Sequence, residues 1–335
     1  MTKDVERIHR EAIIIDAVCP LLQKKPFIGW YQEGGATAVA PTVGIAQPAG
    51  ETLKGLGGWM RFIDERDDLV LVKRASDIEQ AKAEKKTGII LHFQGTGPIE
   101  DDLDLVFAWK GMGVGIIQLC YNLKNRIGDG AQERTDAGLS YFGLDFVRQC
   151  NAARVIVDCS HTGYRTTMDA IEASTRPVVI SHANCRAVHN NARNIKDDQI
   201  KAIAASGGLV GTVGFPAFVA DGTRPTIDQF IDHIAYIADL VGIDHTGLGI
   251  DYYPSMDQAC TLEEAQTYYN YSITNGRWRD DAYPPPPHYY PAGIETPRTL
   301  HNLTVRMLER DFSESDVKKV LGGNWMRIYK DVWGS

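Results

Sequence analysis

Three stretches of this chain run a short apolar segment into a side chain able to bind a metal ion: Val155-Ile156-Val157-Asp158-Cys159-Ser160-His161, Pro177-Val178-Val179-Ile180-Ser181-His182 and Thr246-Gly247-Leu248-Gly249-Ile250-Asp251. Each reads as a short buried strand, and a histidine or aspartate at the carboxyl end of such a strand is where a (β/α)8 barrel keeps its chemistry. With these three, at 154–160, 177–181 and 246–250, five more segments read as strands: 12–18, 38–43, 87–93, 114–119 and 207–213. Helical patterns at 52–64, 75–84, 103–110, 142–152, 164–174, 197–205 and 226–240 lie between them. Eight strands alternating with helices is the grammar of a closed parallel barrel, and a doubly wound sheet shares it locally. Ligands on strands far apart in sequence favour closure, because a barrel brings strand ends to one axis and an open sheet spreads them sideways. The expected fold is α/β, a (β/α)8 TIM-type barrel forming a single domain over residues 1–335.

Two segments break the rhythm. Residues 252–293 carry many aromatics and the run Pro284-Pro285-Pro286-Pro287, which no simple helix tolerates, so a long loop with semi-rigid extended sections is expected. Such an insertion would overhang the strand ends as a lid or serve as an oligomer contact. Helix resumes over 295–332, with Ser313-Glu314-Ser315-Asp316 placing acidic residues in a first turn.

A formal net charge of −8 without clustered Lys and Arg excludes a general nucleic-acid binder. There is no run of about 18 apolar residues to span a bilayer. Residues 1–10 are charged and lack the apolar core of a secretory signal. Six cysteines, Cys19, Cys120, Cys150, Cys159, Cys185 and Cys260, have no framework spacing and read as free thiols. Together these features predict a cytoplasmic protein without membrane or nucleic-acid partners.

Several motifs taken jointly resemble the membrane (renal) dipeptidase family of metallopeptidases, within the amidohydrolase-like barrels. They are Asp136-Ala137-Gly138-Leu139-Ser140 with Phe142-Gly143, the three strand-end segments already quoted, Arg193-Asn194 followed by Asp197-Asp198, Gly242-Ile243-Asp244-His245 leading into the last strand, and Leu321-Gly322-Gly323-Asn324. The resemblance spans most of residues 10–330 in order. It implies a hydrolase of dipeptides with a free carboxyl terminus, usually a homodimer, with two zinc ions bridged by a carboxylate. It maps two metal-binding histidines onto His161 and His182, and a ligand that also handles the catalytic proton onto Asp251. The arginine that grips the substrate carboxylate maps onto Arg193, a task suited to the paired donors of a guanidinium.

The chain departs from the family elsewhere. A His-x-Asp pair at the end of the first strand falls on Val18 and Pro20, neither able to bind a metal, and the bridging glutamate falls on Gln94. A substrate-contacting histidine after the fourth strand falls on Tyr121. Two dipositive ions about 3.5 Å apart repel by roughly 5 kcal/mol at the dielectric of water and about 20 kcal/mol at an effective value of 20. A Gln amide supplies only a carbonyl dipole against that repulsion. The expectation is one zinc ion at most, or none.

His92 lies two residues before Gln94, so period-two alternation puts both on one face. The family has a small residue there. Either His92 restores a lost ligand, giving His92, His161, His182 and Asp251 with Gln94 nearby, or it fills the barrel as a hydrogen-bonded side chain. Cys159 is a soft ligand or a packed thiol. Asn122, Arg126 and Asp129 follow the fourth strand, Asn122 beside Tyr121 as a candidate substrate contact, and all three alternatively as loop hydrogen-bonders. His233 and His245 read as structural. The resulting expectation is a dipeptidase-like metal-dependent amide hydrolase acting on a small carboxylate-bearing substrate. The alternatives are an inactive homologue that binds a small carboxylate and a metal-independent enzyme using Asp251 and a histidine.

Overall fold

The computed structural model describes residues 3–334. The first barrel strand is Ile15–Asp16, the second runs as Ala38–Val39 and Thr42–Gly44, and the third as Thr87–Ile89 and Leu91–Phe93. Val114–Gln118, Ile156–Asp158, Val210–Thr212 and Thr246–Leu248 are the fourth, fifth, seventh and eighth. The sixth place is taken by residues 178–180 through isolated parallel bridges, Asp158 with Val179 and Ile180 with Val210.

Parallel ladders join the first five strands in order, and the seventh to the eighth. Single backbone bonds complete the circle where ladders stop. Cys159 N–H reaches Val179 O at 2.8 Å, Ile180 N–H reaches Leu209 O at 3.0 Å, and Ala17 N–H reaches Leu248 O at 3.2 Å. The last bond joins the eighth strand to the first, so the sheet is a closed TIM-type barrel.

Two glycines let the chain close tightly beside the sixth strand. A Cβ at Gly211 or Gly249 would lie 2.0 or 1.8 Å from the Ser181 carbonyl oxygen, a separation no side chain survives. This approach fixes the backbone that carries His182.

The carboxyl-terminal helix Asn324–Trp333 lays Trp325, Tyr329 and Trp333 against Ile15, Ile116, Ile156 and Leu209 in one buried cluster. Trp325 Nε1–H donates to Leu248 O at 2.9 Å and Trp333 Nε1–H to Gly115 O at 3.1 Å. Aromatic burial on this scale contributes about 3–5 kcal/mol per ring that would be lost on truncation.

Helices Ala75–Glu84 and Asp197–Ala205 fall where the apolar periodicity predicts. Elsewhere the structure corrects the sequence reading. The strand expected over 12–18 forms a ladder only at Ile15–Asp16: Ala12 still closes the preceding helix Lys3–Glu11 through its N–H to Ile8 O, and Ile14, Ala17 and Val18 pair through isolated backbone bonds. The segment 252–293 is not all loop: helix Leu262–Thr274 lies within it. Thr261 starts that helix by accepting from Glu264 N–H at 3.2 Å while Glu264 accepts from Thr261 N–H at 2.8 Å, a reciprocal cap legible as Thr-x-x-Glu. Its aromatic, polar sequence hides the helical period.

Candidate active site

Barrel closure brings His161, His182 and Asp251 to carboxyl ends of the fifth, sixth and eighth strands. His161 and Asp251 have φ of 62° and 61°, and Asn122, after the fourth strand, has φ of 61°. Left-handed backbone at bulky residues is costly and persists where the surrounding structure dictates it.

The two imidazoles face each other with their Nε2 atoms 2.8 Å apart. Their other nitrogens settle which tautomer each holds. The Asn122 amide NH2 donates to Arg277 O at 2.8 Å, which turns its carbonyl oxygen toward His161 Nδ1 at 2.7 Å. His161 therefore carries its proton on Nδ1. On the other side, Ser181 Oγ–H donates to Asp158 Oδ2 at 2.5 Å, so it can only accept from His182 Nδ1 at 2.8 Å. Both Nε2 lone pairs then point at each other, an arrangement that requires a proton or a metal cation between them.

Asp158 anchors this geometry. Its Oδ1 accepts from Ser160 N–H, Ser160 Oγ–H and Ser181 N–H at 2.9, 2.7 and 2.9 Å. Burial works to raise the affinity of this carboxylate for a proton, but His92 and the Ser181 hydroxyl overcome it and hold the group well below the usual carboxylate range. Burial, reinforced by Arg193 and His92, drives both His161 and His182 well below the ordinary imidazole value, with Asp158 opposing it at His182. That direction favours the neutral imidazole, the form that binds metal.

The expected four-ligand set is not assembled. His92 turns its Nε2 toward Asp158 Oδ2 at 3.4 Å, drawn by that carboxylate. Among the described residues no three His, Cys, Asp or Glu side chains gather as a metal-binding cluster. His161 and His182 offer two imidazole nitrogens to an ion, while Val18, Pro20 and Gln94 supply no anion. Cys159 is buried, which pushes its thiol up and keeps it protonated.

Asp251 is pushed well above the ordinary carboxylate value by burial and by the charge of Asp16, with Arg193 and the Gln94 amide opposing. Arg193 is 3% exposed; its Nε–H donates to Tyr283 OH at 3.2 Å, while Nη2 has no hydrogen-bond partner. The Phe218 ring lies 5.4 Å from its guanidinium carbon. A cavity of about 190 Å³ adjoins this group, walled by His161, Ala183, Arg193, Asn194, Tyr164 and Asp136. Tyr121 stacks on His161 with ring centroids 4.1 Å apart.

Other candidates serve the scaffold. Asp129 accepts from Thr135 Oγ1 and Ala137 N–H at 2.9 and 2.8 Å, and Arg126 lies over Phe142. His233 accepts from Cys185 N–H and donates to Val219 O, with burial pushing it down to about 4. His245 bonds Gly208 O. Sequence reasoning missed Asp158, Ser181, Trp278 and Tyr283. For Asp158 a signal existed, since it alternates with Ser160 at the end of an apolar strand; for Trp278 and Tyr283, inside the insertion, there was none.

Residues 37–272 match the family model described as membrane dipeptidase, peptidase family M19. The chain is 31% identical to an amidohydrolase from Pseudomonas aeruginosa whose crystal structure superposes with a TM-score of 0.87, covering 99% of both chains. A Klebsiella pneumoniae protein, described as an uncharacterized protein in the pqqA 5′ region, is 29% identical over 79% of this chain and 89% of its own length. The fold is shared by a metallo peptidase from Rhodobacter sphaeroides, liganded with a phosphinate mimic of the dipeptide L-Ala-D-Ala, at 19% identity and a TM-score of 0.79 over 96% of this chain and 100% of that one.

Proposed function

Because the chain belongs to the membrane dipeptidase family, peptidase family M19, we propose that it is a metal-dependent amide hydrolase working with a single divalent ion on a small substrate with a free carboxylate. The observation that carries this reading is the pair of opposed Nε2 lone pairs on His161 and His182, 2.8 Å apart. These two residues would hold the ion, with Asp251 and Gln94 at the ends of the eighth and third strands and His92 supporting through Asp158. Nitrogen donors suit zinc. A bound zinc ion polarises a scissile carbonyl and lowers the pKa of its water toward neutrality.

The chain's own residues supply the rest. Arg193 offers its free Nη2 to the substrate carboxylate. Asp251, whose burial strengthens its carboxylate as a base, takes the water proton at its carboxylate oxygen and delivers it to the leaving nitrogen. Tyr121 and Asn122 fix one face of His161 and border the substrate. The segment 252–293 acts as a lid, its aromatics excluding water.

Five buried cysteines and one partly buried, all free, support a reducing cytoplasmic setting, and we assign the protein there as a homodimer. No helix among the described residues is long and apolar enough to cross a membrane. A second reading, an inactive homologue that binds a small carboxylate, draws support from Val18, Pro20 and Gln94 at the lost ligand positions.

Elemental analysis of protein purified without chelator, with hydrolysis of a dipeptide panel, tests the proposal. No more than one zinc per chain and chelator-sensitive hydrolysis are expected. Two ions per chain would refute the single-ion centre. Protein that stays inert after zinc addition, yet is stabilised by small carboxylates with or without chelator, would establish the second reading instead.

A further inference from the structure

Five residues make a closed ring of contacts around one side of the site. Tyr121 lies on His161, and His161 Nδ1–H donates to Asn122 Oδ1 at 2.7 Å. The Asn122 NH2 donates to the Tyr283 hydroxyl at 3.2 Å, and that hydroxyl lies 3.3 Å from Asn122 Oδ1. Tyr283 stacks on Trp278 at 4.7 Å with planes 4° apart, and Trp278 Nε1–H donates to Tyr121 OH at 3.2 Å, closing the ring. Trp278 and Tyr283 come from the insertion, and the other three follow the fourth and fifth strands. The same Tyr283 oxygen also accepts Arg193 Nε–H at 3.2 Å.

We propose that Tyr283 is a positioning residue that joins the grip of Arg193 on a substrate carboxylate to the setting of His161. It rests on the reading of those two residues given under Proposed function. A phenolic oxygen has one proton and two lone pairs, so the proton toward Asn122 Oδ1 and the acceptances from Asn122 and Arg193 use its full capacity. Nothing in that hydroxyl is left free to slip. With Nε committed, Arg193 presents its unpartnered Nη2, at a side chain only 3% exposed, to an incoming carboxylate. A carboxylate drawn there pulls the guanidinium, and the phenol passes the displacement through Asn122 to His161. Substrate carboxylate and the histidine pair are thereby made to sense each other through a residue of the lid.

Two measurements test this with glycylglycine and glycylglycinamide, which differ in the terminal carboxylate. First, calorimetric titration of the wild type and of Tyr283→Phe, which keeps the ring and its stack on Trp278, is paired with zinc affinity measured by chelator competition. The expected result is a preference for the carboxylate probe that drops by roughly tenfold in the variant together with a severalfold loss of zinc affinity. A loss in only one of the two, or in neither, overturns the coupling. Second, nitrogen-15 spectra of the histidine rings in zinc-free wild type need no variant to fold. The His161 Nδ1–H signal should move on adding glycylglycine and stay still with glycylglycinamide. A signal that ignores glycylglycine while calorimetry registers binding overturns the proposal. Wild type that binds both probes equally, or neither, refutes the carboxylate role of Arg193 itself and removes the premise, an outcome distinct from failure of the coupling alone.

Discussion

Replacing Asp158 by asparagine should uncouple stability from metal binding in a calculable way. The substituted side chain keeps the oxygen that accepts Ser160 N–H, Ser160 Oγ–H and Ser181 N–H, but presents NH2 where Oδ2 now accepts from Ser181 Oγ and faces His92. Hydrogen bonds to a charged acceptor contribute about 1.5–3 kcal/mol and those to a neutral one about 0.5–1.5, so three weakened bonds cost roughly 3 kcal/mol. Release from burying a charge offsets part of this, leaving a net loss of about 2 kcal/mol. The larger effect is on tautomers. An NH2 group facing Ser181 Oγ obliges the hydroxyl proton to turn toward His182 Nδ1, which moves the His182 proton to Nε2. That proton then occupies the 2.8 Å gap to His161 as an ordinary hydrogen bond, and a cation must displace it. Zinc affinity at pH 7.5 should fall by about 10- to 100-fold, the range for outer-sphere partners of metal-binding histidines. Chelator competition and urea unfolding of the apo-protein measure the two quantities separately. Zinc affinity within about twofold of wild type, alongside lowered stability, would refute the assignment of the His182 tautomer to Asp158 and Ser181.

Four further outcomes are expected. Burial pushes the Asp16 carboxyl up to about 7 from an ordinary 3.8, so the folded state holds its proton more tightly than the unfolded chain. Its contribution is complete below about pH 4 and is lost as pH rises to about 7, roughly 4 kcal/mol in all; urea unfolding at pH 5 and pH 8 should show Asp16→Asn lacking this decline, and an unaltered decline contradicts the assignment. Arg193→Met should raise KM for dipeptides by about 100-fold with little change in kcat, and an equal effect on amidated dipeptides would remove its carboxylate role. Trp325→Ala should destabilise by about 3–5 kcal/mol in urea while zinc affinity stays put, because that ring sits beneath Gly247, at the start of the eighth strand, away from the histidines. Val18→His, Pro20→Asp and Gln94→Glu introduced together should lift zinc from one to two per chain by elemental analysis, and an unchanged stoichiometry would mean charge is not what limits the centre.

The linear sequence carried the barrel and its strand-end histidines and aspartate because both are local signals. Apolar runs at 156–158 and 246–248 end in His161 and Asp251 whatever surrounds them, and helix periods at 75–84 and 197–205 survive in isolation. Its motifs also carried the family, and with it the absence of a metal-binding side chain at Val18 and of carboxylates at Pro20 and Gln94. Packing decided the rest. Helix Leu262–Thr274 is held by contacts its weak apolar period does not announce, and Lys3–Glu11 is a short, mostly charged helix whose Val5 and Ile8 share one face. His92 faces Asp158 instead of joining the histidine pair because a buried carboxylate attracts an imidazole across strands that the alternation rule treats one at a time. Which nitrogen of His161 and of His182 carries its proton depends on Asn122, Ser181 and Asp158, drawn from three strand ends. Period and residue type are properties of neighbours in the chain; tautomers, orphaned donors and the reach of Tyr283 into Arg193 exist only once distant segments share one low-dielectric space.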